Sequence, residues 1–363
     1  MAVPIKPLIV VEDDSFLRVI QIVLDPAAPG ELFEAFAHFC AHDLPDFRGW
    51  CEQVRARVRQ LYPADVRLVR DRDELLANIA GADALVVEAL PVGVREIAAA
   101  GGTLRMVQRY GTIIRYIDEP ACSHAGILVK TLRRRANIST AEQALALMLA
   151  LTRQLNQNAN LISVEQIKAA GYTPTQYDRA RTPNGNWARI TGLKTLFGRQ
   201  LGIIGLGEIG RELALRASAL GMPIVYHQRH RLTAAEEQRY QARYSSLPQL
   251  LESSDCISLH LPRGHETQGI IDRAGLAIIK PGAMLINVSQ PLLIDRAAVL
   301  GALESGRLGG FAMDGFYEEP ADADDPLLKF RNVMITPHLA GSPRSNSLDD
   351  ISELLDNLAE GLS

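Results

Sequence analysis

A chain of 363 residues is longer than the roughly 250–300 at which one hydrophobic core stops growing, so two domains are expected. Its 47% hydrophobic and 22% charged residues are ordinary for a soluble globular protein, and a net charge of -4 argues against a nucleic-acid partner, which usually leaves a basic imbalance. The arginine-dense stretches Arg133-Arg134-Arg135 and Arg229-His230-Arg231 therefore read as local anion sites or solvated faces. No run reaches the ~18 apolar residues that a membrane span needs. The opening residues turn acidic too soon for a signal sequence, so no membrane partner and a cytoplasmic location are expected. Cys40, Cys51, Cys122 and Cys256 form no Cys-x-x-Cys pair and no zinc-spaced cluster, so no metal site is expected.

In chain order, short β-branched runs alternate with helical patterns, the mark of a parallel sheet wrapped by helices. Residues 8–11 predict a first strand. Residues 29–62 carry two amphipathic patterns, one on Leu32, Phe33, Phe36 and Phe39, the other on Trp50, Val54 and Val58. Strands are predicted at 84–87, at 104–107 leading into Gln108-Arg109-Tyr110-Gly111, and at 127–129. A long helix is predicted over 143–155, with Ser139 as N-cap and Glu142 in the capping-box position. Being apolar nearly all round, it belongs in a core or an interface. Residues 170–186 read as a loop between two regions, and strand and helix alternate again from 201 to 336.

The strongest single motif is Leu201-Gly202-Ile203-Ile204-Gly205-Leu206-Gly207-Glu208-Ile209-Gly210, a strand entering G-x-G-x-x-G with a helical pattern behind it. The first glycine makes the tight turn, the second lets backbone approach a pyrophosphate, and the third allows close helix–strand packing. The helix N-terminus adds amide donors and a positive dipole end. The next strand, 224–226, ends in His227-Gln228-Arg229-His230-Arg231, where a carboxylate would normally bond the ribose 2′-hydroxyl of NAD. With Gln228, Arg229 and Arg231 there instead, NADP(H) is preferred and NAD(H) is the alternative. These arginines could also simply face water.

Two later segments carry acid–base residues, Asp314 to Pro320 and Thr336-Pro337-His338. Hydride reduction of a carbonyl needs a proton for the developing alkoxide, and a histidine beside a carboxylate can supply it near neutral pH. His338 follows a predicted strand at 333–336, where catalytic groups sit in open α/β sheets.

These stretches, taken with Ser258-Leu259-His260-Leu261-Pro262, Glu266-Thr267, Lys280-Pro281-Gly282 and Ile286-Asn287, occur in the order seen in the D-isomer-specific 2-hydroxyacid dehydrogenase family, which the chain resembles over about residues 84–341. The resemblance implies an α/β fold of two doubly wound parallel-sheet domains. A Rossmann dinucleotide-binding domain (131–338) would be inserted in a flavodoxin-like substrate domain (1–130 with 339–363), with the cleft between them. It also implies a homodimer, built in part by the helix near Ser139. His338 would be the general acid/base, Glu319 its partner, and Asp314 a contact to the nicotinamide carboxamide. Gly205, Gly207, Glu208, Ile209, Gly210, Leu261, Pro262, Thr267, Asn287, Val288, Ser289 and His338 would line the cofactor. Arg109, Tyr110, Gly111, Thr112 and Arg115 would face the small-molecule substrate.

The chain departs from the family at three places. Where the family has an arginine after the Ile-Asn strand, Gln290 stands in the catalytic position, able to donate a hydrogen bond but uncharged. Where the family has Gly-x-Gly, this chain has Gly111-Thr112-Ile113, and Arg115 replaces a more usual acidic residue, so positive charge has either migrated to this loop or faces solvent. The helical stretch 29–62 is longer than usual and reads as a packing elaboration, with a cleft shield or a dimer contact as alternatives. The expected function is an NAD(P)-dependent oxidoreductase acting on CH–OH. The alternatives are a dinucleotide-binding regulatory protein without turnover, and non-redox use of the same site.

Overall fold

The computed structural model describes residues 6–262 and 264–363. Two compact units emerge, Met1–Ser139 with Gly341–Ser363, and Thr140–Ala340. The division falls inside the helix Arg135–Arg153, later than the sequence boundary at 131.

In unit 1 the strands β1 (Leu8–Glu12), β2 (Asp65–Val69), β3 (Ala84–Val87), β4 (Met106–Arg109) and β5 (Leu128–Lys130) form one parallel sheet in the order β2-β1-β3-β4-β5. β3 is buried along its whole length and β1 over all but its last residue, as expected for central strands covered on both faces. The order is the flavodoxin-like one, with its reversal between β1 and β3. Edge strand β2 went unpredicted because Asp65 and Arg67 dilute its apolar residues. The helices Gly30–Cys40 and Phe47–Arg57 bring Phe33, Phe36, Phe47 and Trp50 into one aromatic layer, with ring centroids 5.5–6.3 Å apart. This layer packs on the unit 1 core, so the 29–62 stretch is in part a packing elaboration.

The helix Arg135–Arg153 corrects one expectation. It begins before the predicted start, and Ser139 lies within it, its hydroxyl donating to the Ser342 carbonyl at 2.5 Å instead of capping. The cap comes from far along the chain: the fully buried Asp350 carboxylate accepts from the Arg135 and Ala136 amides at 2.8 and 3.4 Å and from the Arg135 guanidinium at 3.1 Å. A cap supplied by tertiary contact leaves no local pattern to read. Glu142 is not in a capping box; it pairs with Arg216 at 3.2 Å.

Unit 2 holds seven strands: β6 (Leu201–Ile204), β7 (Ile224–His227), β8 (Ala242–Tyr244), β9 (Cys256–Leu259), β10 (Ala283–Asn287), β11 (Leu308–Asp314) and β12 (Val333–Thr336). All pair in parallel in the order β12-β11-β10-β9-β6-β7-β8, the Rossmann order with one further strand. A parallel sheet brings every strand's carboxyl end to one edge. The segments after 204, 227, 259, 287, 314 and 336 therefore gather there, and these are the segments the motifs occupy. The four cysteines are buried and unpaired. Among the described residues no helix is long and apolar enough to cross a membrane, and no cluster of three or more His, Cys, Asp or Glu could hold a metal.

Asp350→Ala should lower the urea midpoint with an unchanged m-value. Burial raises the Asp350 carboxyl pKa, and this desolvation offsets part of its hydrogen bonding, so a loss of about 1–2 kcal/mol is expected. An unchanged midpoint would show that the cap carries no stability.

Candidate active site

The glycine turn is built as its chemistry requires. Gly205 has φ +95, and a Cβ there would lie 2.5 Å from the His260 carbonyl oxygen. A Cβ on Gly210 would lie 2.3 Å from the Gly205 carbonyl oxygen, so both glycines are demanded by packing. Gly207 is different, since a Cβ there would meet nothing within 4 Å. It caps the helix Glu208–Ala219, so the space its missing side chain leaves lies at the amide end of a three-turn helix that also carries Ile209. That free space is what a pyrophosphate needs, and the residues fit a dinucleotide.

At the end of β7, Gln228 accepts from the Leu206 amide at 3.1 Å and donates to the His230 carbonyl at 2.6 Å, tying the glycine turn to the next strand. Arg231 forks onto Glu237 at 2.9 and 3.0 Å, while Arg229 pairs with Glu266 at 2.8 Å across a largely exposed contact. After β9, His260 is buried, with Nε2 2.8 Å from the Ser258 hydroxyl and Nδ1 without a partner among the described residues. Burial lowers its pKa to about 3, so it stays neutral and cannot act as an acid at pH 7. Leu261 packs beside Gly205, with its Cδ2 2.9 Å from where a Cβ would stand, and Thr267 folds the loop by donating to the Pro262 carbonyl at 2.8 Å.

The buried Asn287 at the end of β10 accepts from the Ser289 amide at 2.9 Å and donates to the Gln290 carbonyl at 3.0 Å. Ser289 in turn donates to the Leu259 carbonyl at 2.8 Å, and Val288 is buried between them in sequence. This holds the Gln290 backbone while leaving the residue exposed, where it lines a hollow of about 420 Å³ with His265, Thr267 and Leu292.

His338 and Glu319 meet: His338 Nδ1 lies 3.1 Å from Glu319 Oε2, and Glu319 Oε1 accepts from the Phe316 amide at 3.0 Å. His338 adopts φ +58, uncommon for a residue with a side chain, and the buried Asp314 holds the segment in place. Its carboxylate accepts from the Thr336 hydroxyl at 2.5 Å, the Leu339 amide at 2.8 Å and the Ala340 amide at 2.7 Å. Sequence reasoning missed Gly315, where a Cβ would stand 3.2 Å from Glu319 Oε1 and 3.5 Å from His338 Nδ1. A glycine directly after the strand's aspartate was the available signal.

In unit 1, the residues expected to face substrate begin at Arg109, the last residue of β4, and continue after it. The Arg109 guanidinium is turned inward, donating to the carbonyls of Tyr110 at 2.8 Å and Ile113 at 3.0 Å. Gly111 has φ +151, Tyr110 is fully buried, and Thr112 and Arg115 are exposed, with Arg115 over the Tyr116 ring at 4.7 Å.

Residues 145–340, more than half of the chain, match the NAD binding domain of the D-isomer specific 2-hydroxyacid dehydrogenases. The chain belongs to that family. It is 34% identical to the (S)-sulfolactate dehydrogenase of Chromohalobacter salexigens, over 76% of this chain and 84% of that protein. It is 32% identical to the D-3-phosphoglycerate dehydrogenase of Archaeoglobus fulgidus, over 82% of this chain but 53% of that protein, so it spans about half the length of such relatives. The crystal structure of a glyoxylate reductase from Paecilomyes thermophila shares the fold with a TM-score of 0.54 and 24% identity, covering 99% of this chain and 96% of that one.

The roles of the first two glycines of the turn can be separated. Gly205→Ala should lower the melting temperature of the chain, because strain and a clash fall on the fold itself. Gly207→Ala should melt like the wild type yet weaken dinucleotide binding about tenfold or more, read by quenching of protein fluorescence. Equal dinucleotide affinity in Gly207→Ala would show that the space is not used.

Proposed function

We propose that the chain moves a hydride between a nicotinamide ring and the carbonyl carbon of a 2-oxo acid or the matching 2-hydroxy acid, with His338 as general acid/base. The observation that carries this is the 3.1 Å contact between His338 and Glu319. A carboxylate only accepts hydrogen bonds, so the proton on the Glu319 side sits on Nδ1, and Nε2 is left for the substrate. In reduction Nε2 gives its proton to the carbonyl oxygen; in oxidation the neutral Nε2 takes the hydroxyl proton. Glu319 fixes the plane of the ring through this contact. The dinucleotide, when bound, supplies or receives the hydride. Relatives are named for sulfolactate, 3-phosphoglycerate and glyoxylate, each with a carboxylate beside the reacting carbon, and that class is the one proposed here.

NADP(H) is the preferred cofactor in this reading. No carboxylate ends β7, and the exposed Arg229–Glu266 pair costs little to break in favour of a 2′-phosphate. Arg231, held by both oxygens of Glu237, is the less available of the two arginines. The second reading, dinucleotide binding without turnover, is favoured by Gln290, since a neutral donor is weaker than a charged one toward a carboxylate by about 1 kcal/mol or more.

His338→Gln should lower kcat by about 10²–10⁴ while the chain still binds NADPH, and Glu319→Gln should lower it less. Undiminished turnover in His338→Gln would sink the reading. Tight NADPH binding with no turnover on any 2-oxo acid would favour the second. Arg229→Ser should weaken NADPH about tenfold and leave NADH unchanged, by titration of each; equal weakening of both would argue against a phosphate contact.

A further inference from the structure

The loss of a cation at position 290 raises the question of which other group in the chain could hold a carboxylate. Unit 1 has its own carboxyl-end edge at the reversal between β1 and β3, where ligands bind in open sheets. The amides there are already used: Glu12 Oε2 accepts from the backbone N–H of Glu88, Ala89 and Leu90 at 2.6, 2.8 and 2.9 Å, so this run of donors is closed to an outside anion. Arg109 is committed to backbone carbonyls, and Arg135 to Asp350 and Glu353.

Arg134 is the exception. Its guanidinium carbon stands over the Tyr110 ring, 3.9 Å from the centroid, with the side chain 16% exposed. Its Nε–H has no acceptor among the described residues, and neither has the fully buried Tyr110 hydroxyl. Its nearby carboxylate, Glu88, stands 3.9 Å from Nη1, beyond hydrogen-bond reach. The backbone on either side is pinned, by Leu132 N–H to the Gly111 carbonyl at 3.0 Å and by Arg135 N–H to Asp350 at 2.8 Å. A cation that is mostly buried, preorganised and short of hydrogen bonds is a poor arrangement for stability alone. A planar two-oxygen anion would complete it through the guanidinium fork.

We propose that Arg134 is a carboxylate anchor of unit 1, with Glu88 as the group a ligand carboxylate displaces. The proposal rests on the reading of the chain as acting on 2-hydroxy or 2-oxo acids. Glu88 suits displacement, because burial holds its carboxyl above the ordinary carboxylate range and its loop is held through Glu12 and not through its side chain.

The test uses the full chain and oxalate as a dicarboxylate that cannot turn over, titrated calorimetrically beside inorganic phosphate. Arg134→Gln should weaken oxalate tenfold or more, Arg134→Lys should lie between, and Glu88→Gln should tighten it severalfold by removing the competing anion. NADPH affinity should be the same in all three. Opposite shifts in the Arg134 and Glu88 variants cannot come from general damage to the fold. Equal oxalate affinity in Arg134→Gln, no oxalate binding by the wild type, or binding of phosphate alone would each overturn the anchor. If oxalate behaves as expected while no 2-oxo acid is turned over, the anchor stands and the dehydrogenase reading falls. If 2-oxo acids turn over with an unmoved KM in Arg134→Gln, the reverse holds.

Discussion

The Asp314 carboxylate ends a strand buried almost throughout and accepts three hydrogen bonds from one short segment, from Thr336, Leu339 and Ala340. A buried carboxylate is costly unless such donors meet it, and each donor would be left orphaned without it, at about 1–3 kcal/mol per group. The two requirements lock together β11 and the turn after β12. That lock sets His338 at φ +58 and brings its ring to Glu319, while Gly315 keeps the intervening space clear. The His338–Glu319 pair is thus positioned by a group whose own bonding lies within the protein.

The same logic of satisfied and unsatisfied groups separates the arginines. Sequence shows a surplus of cations around residues 109–135 without saying which have work outside the fold. Arg109 and Arg135 are consumed by carbonyls and carboxylates. At the dinucleotide side Arg231 is held by a bidentate partner, while Arg229 has only an exposed one. Position in the chain would rank these side chains alike, but their hydrogen-bond accounts do not.

Much of the site was legible because its constraints are local. Gly205 is required by its φ of +95 and Gly210 by the Gly205 carbonyl, both within one short turn, and the strands at 84–87 and 333–336 announce themselves as short β-branched runs. What was not legible depends on groups far apart in the chain. Ser139 looked like a cap because serine before glutamate is a good local cap, yet Asp350, more than two hundred residues on, takes that role. Strand β2 alternates charged and apolar residues at a sheet edge, and only pairing with β1 marks it as a strand. Gln228 reads from sequence as a cofactor contact, while its hydrogen bond to the Leu206 amide, which braces the glycine turn, is visible only in the structure.

The sequence by itself determined the family, the alternation of strand and helix, the glycine turn and the presence of an Asp, Glu and His in fixed order, since these rest on backbone sterics and short-range periodicity. Only the tertiary structure decided which polar groups are spent inside the fold and which keep unmet capacity. Hydrogen bonds and ion pairs are satisfied by whatever lies near in space, and chain folding brings residues such as 88 and 134, or 135 and 350, within a few ångströms regardless of their separation in sequence.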